Sequence, residues 1–187
     1  MPFTSDTGIP GLIIIDPSVF EDSRGYFFES YNAELYSKNG IKTVFVQDNQ
    51  SRSCYGVIRG LHFQSLPFSQ TKLVRVLSGA IIDVAVDIRK GSPAYGKAFS
   101  VELSADNRKQ LLIPAGFAHG FSVISESAEV LYKCDKYYNK SSEKGIAYND
   151  PELAIDWKVP ADQIVISEKD SQYPFFSFYE SDFVYIP

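Results

Sequence analysis

Apolar and polar residues exchange places every second position in short runs that recur along this chain, with turn-forming residues between them. In Ile82-Asp83-Val84-Ala85-Val86-Asp87-Ile88 the β-branched residues fall on one face of a strand, with Asp83, Ala85 and Asp87 on the other. Phe99-Ser100-Val101-Glu102-Leu103 alternates in the same way, and Val130-Leu131-Tyr132-Lys133-Cys134 places Val130, Tyr132 and Cys134 on one side. Residues 57–64 and 72–77 also read as strands, the first interrupted by Gly60. The turns are Asn39-Gly40, Ser78-Gly79, Lys90-Gly91-Ser92-Pro93, Ala105-Asp106-Asn107 and Asn149-Asp150-Pro151. This spacing predicts an antiparallel sandwich or barrel. One helix stands out: Asn32 caps it, residues 33–39 make two turns, and Gly40 ends it. Beyond Ile155-Asp156-Trp157 the pattern loosens into a Pro- and aromatic-rich tail, most marked from about residue 173. No linker, repeat or low-complexity segment divides the chain, so residues 1–187 are expected to form a single domain.

Composition narrows the function more than the fold. A chain of 187 residues with 44% hydrophobic content suffices for a buried core, and 14% aromatic residues is a rich supply. The net charge of −5 argues against a nucleic-acid partner. Any anion site must be assembled in three dimensions, because Arg and Lys do not form a run. Cys54 and Cys134 are too few for a disulfide framework or a zinc motif and are expected as free thiols. The N-terminus lacks the pattern of a signal peptide, and no stretch approaches the roughly 20 apolar residues of a membrane span. No membrane partner is expected, and the cytoplasm is the expected location.

The chain has two histidines, both beside glycines and strand-like segments: His62 in Arg59-Gly60-Leu61-His62-Phe63-Gln64 and His119 in Pro114-Ala115-Gly116-Phe117-Ala118-His119-Gly120. Histidine is the side chain best suited to moving protons near neutral pH, so the pair points to an enzyme doing acid–base chemistry. On a regular strand His62 shares a face with Ile58, Gly60 and Gln64, leaving Arg59 opposite; a bulge or kink at Gly60 would bring Arg59 and His62 together. Lys72 opens the next strand, which on antiparallel pairing with that of His62 would lie close to it. The alternative is a surface lysine. Tyr132 reads more commonly as a core phenol, and Asp170 as a helix or turn carboxylate. Spacing alone nominates none of these three. A metal is not expected: the His-x-His position holds His62 and Gln64, with no Glu at short spacing.

Seven blocks in order carry a resemblance that spans nearly the whole chain. They are Val46-Gln47-Asp48-Asn49-Gln50-Ser51, residues 56–64, Gln70-Thr71-Lys72-Leu73-Val74, residues 83–89, residues 113–121, Tyr148-Asn149-Asp150-Pro151 and Ile166-Ser167-Glu168-Lys169-Asp170. Ahead of them runs Phe20-Glu21-Asp22-Ser23-Arg24-Gly25-Tyr26-Phe27-Phe28-Glu29. The chain resembles the dTDP-4-dehydrorhamnose 3,5-epimerase family. The resemblance implies a mainly β fold, a cupin-type jelly-roll barrel of antiparallel strands with a few short helices. It implies a homodimer that binds a dTDP-sugar in the barrel mouth and uses neither cofactor nor metal.

The same resemblance assigns roles. His62 would be the general base, oriented by Asp170; Lys72 would stabilise an enolate oxygen; Tyr132 would donate the proton from the opposite face. Arg24, Glu29, Gln47, Asn49, Arg59, His119, Glu143 and Lys169 fall where the family contacts nucleotide and sugar, and Phe27 and Tyr138 where thymine stacks. Lys158 stands after Trp157 where the family commonly has proline. Two other readings compete: an epimerase that inverts a single carbon of another dTDP-4-keto-deoxysugar, and a cupin that binds sugar nucleotides without catalysis.

Overall fold

A computed structural model of the chain describes residues 4–187. In chain order its elements are β1 (Thr4–Asp6), β2 (Ile13–Ile15), β3 (Phe20–Asp22), β4 (Gly25–Phe27), α1 (Ala33–Lys38), β5 (Gln47–Cys54), β6 (Ile58–Gln64) and β7 (Lys72–Ser78). Then follow β8 (Ala80–Asp87), β9 (Ala98–Ser104), β10 (Gln110–Ile113), β11 (Phe117–Val123), β12 (Ser127–Cys134) and β13 (Glu143–Gly145), with four short 3-10 turns after β12. Two antiparallel sheets form the barrel, a six-stranded one ordered β1-β2-β10-β7-β12-β5 and a five-stranded one ordered β13-β6-β11-β8-β9. The hairpin β3–β4 stands apart as a third, two-stranded sheet. The antiparallel barrel expected from the alternation is observed, in the jelly-roll form that the resemblance implied.

Three apolar clusters explain why these strands stay where they are. Between the sheets, Val74, Val76, Ile81, Leu103, Leu111, Phe117, Phe121 and Val130 fill one end of the barrel. Outside the five-stranded sheet, Ile58, Leu61, Phe63, Ile82, Val84 and Val86 pack under Trp157, Phe176, Tyr179 and Phe183. The aromatic tail therefore serves as the cover of that sheet. This is why β8 is buried on both faces: its β-branched residues meet the tail, while Asp83 and Asp87, both 0% exposed, face inward. Outside the six-stranded sheet, Tyr36 of α1 packs with Ile15, Ile41, Leu73 and Leu112.

The helix begins and ends as its sequence dictates. Asn32 Oδ1 accepts from the Leu35 N–H at 3.1 Å, and Gly40 has φ +85°. Lys158 adopts φ +56°, a conformation barred to proline. The loop after Trp157 is thus built differently from one carrying proline there, and Lys158 is exposed and paired with Asp156.

Candidate active site

The open end of the barrel gathers polar residues from both sheets. From the five-stranded sheet β6 contributes Arg59 and His62, and β11 contributes His119. From the six-stranded sheet β5 contributes Gln47 and Asn49, β7 contributes Lys72, and β12 contributes Tyr132. They line two cavities of about 100 and 130 Å³ that share His62, Lys72 and Tyr132.

A register shift makes this possible. His119 stands opposite His62 and Phe121 opposite Arg59, so two steps along β11 match three along β6. The extra residue puts Arg59 and His62 on one face, as the proposed irregularity at Gly60 requires. Gly60 has φ +118°, and a Cβ there would lie 2.5 Å from Gly120 Cα and 2.7 Å from the His119 carbonyl oxygen. Only glycine fits. Arg59 Nε donates to Ser53 Oγ at 3.0 Å, which braces the guanidinium across the barrel.

His62 Nε2 lies 2.8 Å from Asp170 Oδ1. Asp170 opens a 3-10 turn (Asp170–Gln172), accepts from the Gly60 N–H at 3.2 Å on its other oxygen, and keeps 6% of its side chain accessible against 29% for His62. Burial pushes its carboxyl up. The hydrogen bond and charge of His62, the Gly60 N–H and the Ser167 hydroxyl outweigh that and hold it below the ordinary aspartate value. An ionised carboxylate only accepts, so His62 carries its proton on Nε2 and presents a bare Nδ1. The Tyr173 ring stands edge-on to the imidazole, 5.7 Å between centroids, and fixes its tilt from another side.

Across the cavity, Lys72 Nζ lies 5.9 Å from the centre of the Tyr132 ring. Burial pushes the ammonium below the usual lysine value, offset in part by Cys134, Asp83 and Glu143. Burial raises the Tyr132 phenol, helped by Cys134 and opposed by Arg59. At neutral pH the phenol is an acid holding its proton.

Lys72 does not reach His62 through strand pairing. β7 pairs with β10 and β12, and β6 with β11 and β13, so the two residues meet across the barrel from opposite sheets. At the rim, Glu143 accepts from Tyr138 Oη at 2.7 Å and from Lys169 Nζ at 2.6 Å. Burial pushes Glu143 up, but those two partners hold it below its ordinary value. The Tyr138 N–H donates to Gln47 Oε1 at 3.0 Å, and Gln47 Nε2 donates to Asn49 Oδ1 at 2.9 Å.

Three expected substrate contacts lie elsewhere. Phe28 stacks on Arg75 and Tyr26 on Arg108. Arg75 alternates with Lys72 and Val74 along β7 and so points away from the barrel interior. The hairpin therefore packs outside the six-stranded sheet, taking Arg24, Phe27 and Glu29 with it. Arg24 pairs with Asp22, Glu29 accepts from Asn32, and Phe27 is 66% exposed. Asp83, by contrast, went unnominated in the sequence. Its Oδ1 lies 2.8 Å from His119 Nε2, making a second histidine–carboxylate pair beside the first. Its signal was a carboxylate on a strand too apolar to have a solvent face. Among the described residues no cluster of three or more His, Cys, Asp or Glu is arranged to hold a metal ion. No helix among them is long and apolar enough to cross a membrane.

Fold and site together define a cupin-like barrel equipped for acid–base chemistry at its mouth. Residues 6–177 match the family described as dTDP-4-dehydrorhamnose 3,5-epimerase. A relative of that name from Pseudomonas aeruginosa is 52% identical over 165 residues, 88% of this chain and 90% of its own. One from Shigella flexneri is 50% identical, again over 165 residues, 88% of this chain and 90% of its own. The crystal structure of a dTDP-6-deoxy-D-glucose-3,5-epimerase from Legionella pneumophila in complex with dTDP-4-keto-L-rhamnose superposes with a TM-score of 0.93 at 46% identity, covering 98% of each chain. This chain belongs to the dTDP-4-dehydrorhamnose 3,5-epimerase family.

Proposed function

We propose that this protein is an isomerase that converts dTDP-4-dehydro-6-deoxy-D-glucose into dTDP-4-dehydro-L-rhamnose, inverting carbons 3 and 5, in the biosynthesis of dTDP-L-rhamnose. One observation carries the mechanism: His62 and Tyr132 belong to opposite sheets and border the same cavities, with Lys72 beside the phenol. Inversion needs a base on one face of a carbon and an acid on the other. A ketone at carbon 4 acidifies the hydrogens on carbons 3 and 5, so Nδ1 of His62 removes either in turn to give an enolate. Lys72 stabilises the enolate oxygen, and the Tyr132 phenol returns a proton from the far side. Asp170 holds the imidazole in the working tautomer and stabilises the imidazolium.

General acid–base catalysis typically contributes about 10²–10⁴-fold. Stabilisation of the enolate must add to this, and one preorganised donor of that kind is typically worth about 2.7–4 kcal/mol. The carbonyl already supplies the C–H acidity, so the reaction calls for neither redox cofactor nor metal. Arg59 and Lys169 give the diphosphate cationic partners, Gln47, Asn49, His119 and Glu143 contact sugar and nucleotide, and Tyr138 stacks on thymine. Arg24, Phe27 and Glu29 reach a site only in a homodimer, where the exposed hairpin of one copy enters the mouth of the other. The cytoplasm, where nucleotide sugars are made, is the proposed location.

The test is incubation of chelator-treated protein with dTDP-4-dehydro-6-deoxy-D-glucose in deuterated water, followed by NMR. Deuterium at carbons 3 and 5 with inversion, both lost in His62→Ala, supports the double epimerase. Label at carbon 3 alone identifies an epimerase of one carbon, and binding without exchange a non-catalytic sugar-nucleotide protein.

A further inference from the structure

Among the described residues, one buried carboxylate that the epimerase chemistry above does not use keeps an oxygen without a partner. Asp83 sits in the middle of β8, is 0% exposed, and points into the barrel. Its Oδ1 lies 2.8 Å from His119 Nε2, whereas its Oδ2 is buried without any hydrogen-bond partner. A carboxylate left half-satisfied in a core is costly and calls for an explanation. Orienting His119 accounts for one oxygen only. Lys72 is the cation whose charge Asp83 favours: it lines the same cavity as His119, and no hydrogen bond or ion pair anchors its ammonium among the described residues.

We propose that Asp83 is a positioning residue for this site, serving two groups at once: Oδ1 fixes the His119 ring and Oδ2 is the buried countercharge that holds the Lys72 ammonium. The inference rests on the epimerase reading for the purpose of Lys72, though not for the unpartnered oxygen of Asp83. The groups facing Lys72 can be named wall by wall. β12 contributes Tyr132 and Cys134, β6 contributes Arg59 and His62, β11 contributes His119, β8 contributes Asp83, and β13 contributes Glu143. Of the three that pull the ammonium back toward its charged form, Cys134 is a thiol that burial keeps protonated, and Glu143 is already engaged by Tyr138 and Lys169. Asp83 is the carboxylate with an oxygen to spare. A site that asks a half-buried lysine to stay cationic gains from such a group, because desolvation lowers the ammonium's pKa.

Asp83→Asn keeps the shape and removes the charge. Its kcat is expected to fall about tenfold or more with a much smaller change in KM, and the alkaline limb of the kcat profile to move down by about one pH unit. A ¹⁵N titration of Lys72 Nζ, assigned with Lys72→Arg, should move in the same direction. A residue that only supports the fold would lower the unfolding midpoint and leave both pH readouts in place, and that result overturns the proposal. Should Asp83→Asn fail to fold, Lys72→Met provides the second arm. Without the cation the Asp83 ¹³Cγ chemical shift at fixed pH should change from its wild-type position, and an unchanged shift rejects the pairing. The NMR arms need no turnover. Absence of label at carbons 3 and 5 in the wild type would sink the epimerase reading without touching them, whereas full activity and an unmoved limb in Asp83→Asn would sink only Asp83.

Discussion

A base needs a bare nitrogen and an acid needs a retained proton, and the two side chains proposed for these roles obtain them from different physics. For His62 the tautomer is set by a hydrogen bond, from Nε2 to a carboxylate held ionised by its neighbours. For Tyr132 the proton is kept by burial. Replacing Tyr132 by Phe therefore removes the acid and leaves the base. His62 can still take a proton and return a deuteron to the face it came from, so Tyr132→Phe should wash deuterium into the substrate while inversion falls by about 10²-fold or more. NMR of the recovered sugar separates the two events, and equal loss of label and inversion would remove Tyr132 from the role of acid. The pH profile has a sign fixed by the same residues. Burial lowers Lys72 and raises Tyr132, so the ammonium is lost at lower pH than a free lysine's and the phenol proton at higher pH than a free tyrosine's. The alkaline limb of kcat should thus belong to Lys72. Lys72→Arg, whose guanidinium stays charged, should lift that limb to higher pH even as its changed shape lowers the rate.

At the scale of elements, the period of two tells which face a residue takes but not which strand lies beside it. The placement of Val130, Tyr132 and Cys134 on one face was readable from alternation alone, and so was the helix from Asn32 to Gly40. The partner of β7 was not. Consecutive strands invite the guess of a hairpin, whereas β6 and β7 divide between the two sheets, and only closure of the barrel returns Lys72 to His62. Gly60 lies between these cases. Its presence in a strand flagged an irregularity, but the register shift that turns Arg59 inward depends on Gly120 of β11, 60 positions along the chain. Asp83 was hidden because a carboxylate in an apolar strand gives no sign of which residue it will face. The paired glycines make a sharp prediction. Gly60→Ala combines an unfavourable φ with backbone overlap at Gly120, and should cost about 1–3 kcal/mol or more. Because the shift aligns the site, it should also weaken dTDP binding beyond what the lost stability explains. Denaturant midpoint and calorimetric affinity, measured on the folded fraction, report the two effects separately.

At the scale of the whole molecule the site and the hairpin β3–β4 are on opposite sides of one sheet. All six residues of the hairpin are exposed, Phe20 at 67% and Phe27 at 66%, an apolar surface that a chain folding alone has little reason to leave in water. This separation is not legible in the sequence, since the resemblance assigns residues to a site without saying which copy of the chain supplies them. A homodimer resolves both facts if each hairpin completes the mouth of the other subunit, and a two-fold axis makes the exchange reciprocal. Such an exchange can be tested by complementation between two defective chains. A variant with Arg24→Ala and Phe27→Ala keeps His62 but offers a defective hairpin, and His62→Ala keeps the hairpin but lacks the base; each alone should be close to inactive. Co-expressed, the two form mixed dimers in which one mouth pairs an intact His62 with an intact hairpin and the other has neither. Random pairing makes half of the dimers mixed, so activity should return to about a quarter of the wild-type level. Tandem affinity tags on the two chains isolate the mixed dimer and should raise that to about half. If the hairpin instead serves its own barrel, both mouths of a mixed dimer are defective and no activity returns, whatever the oligomeric state.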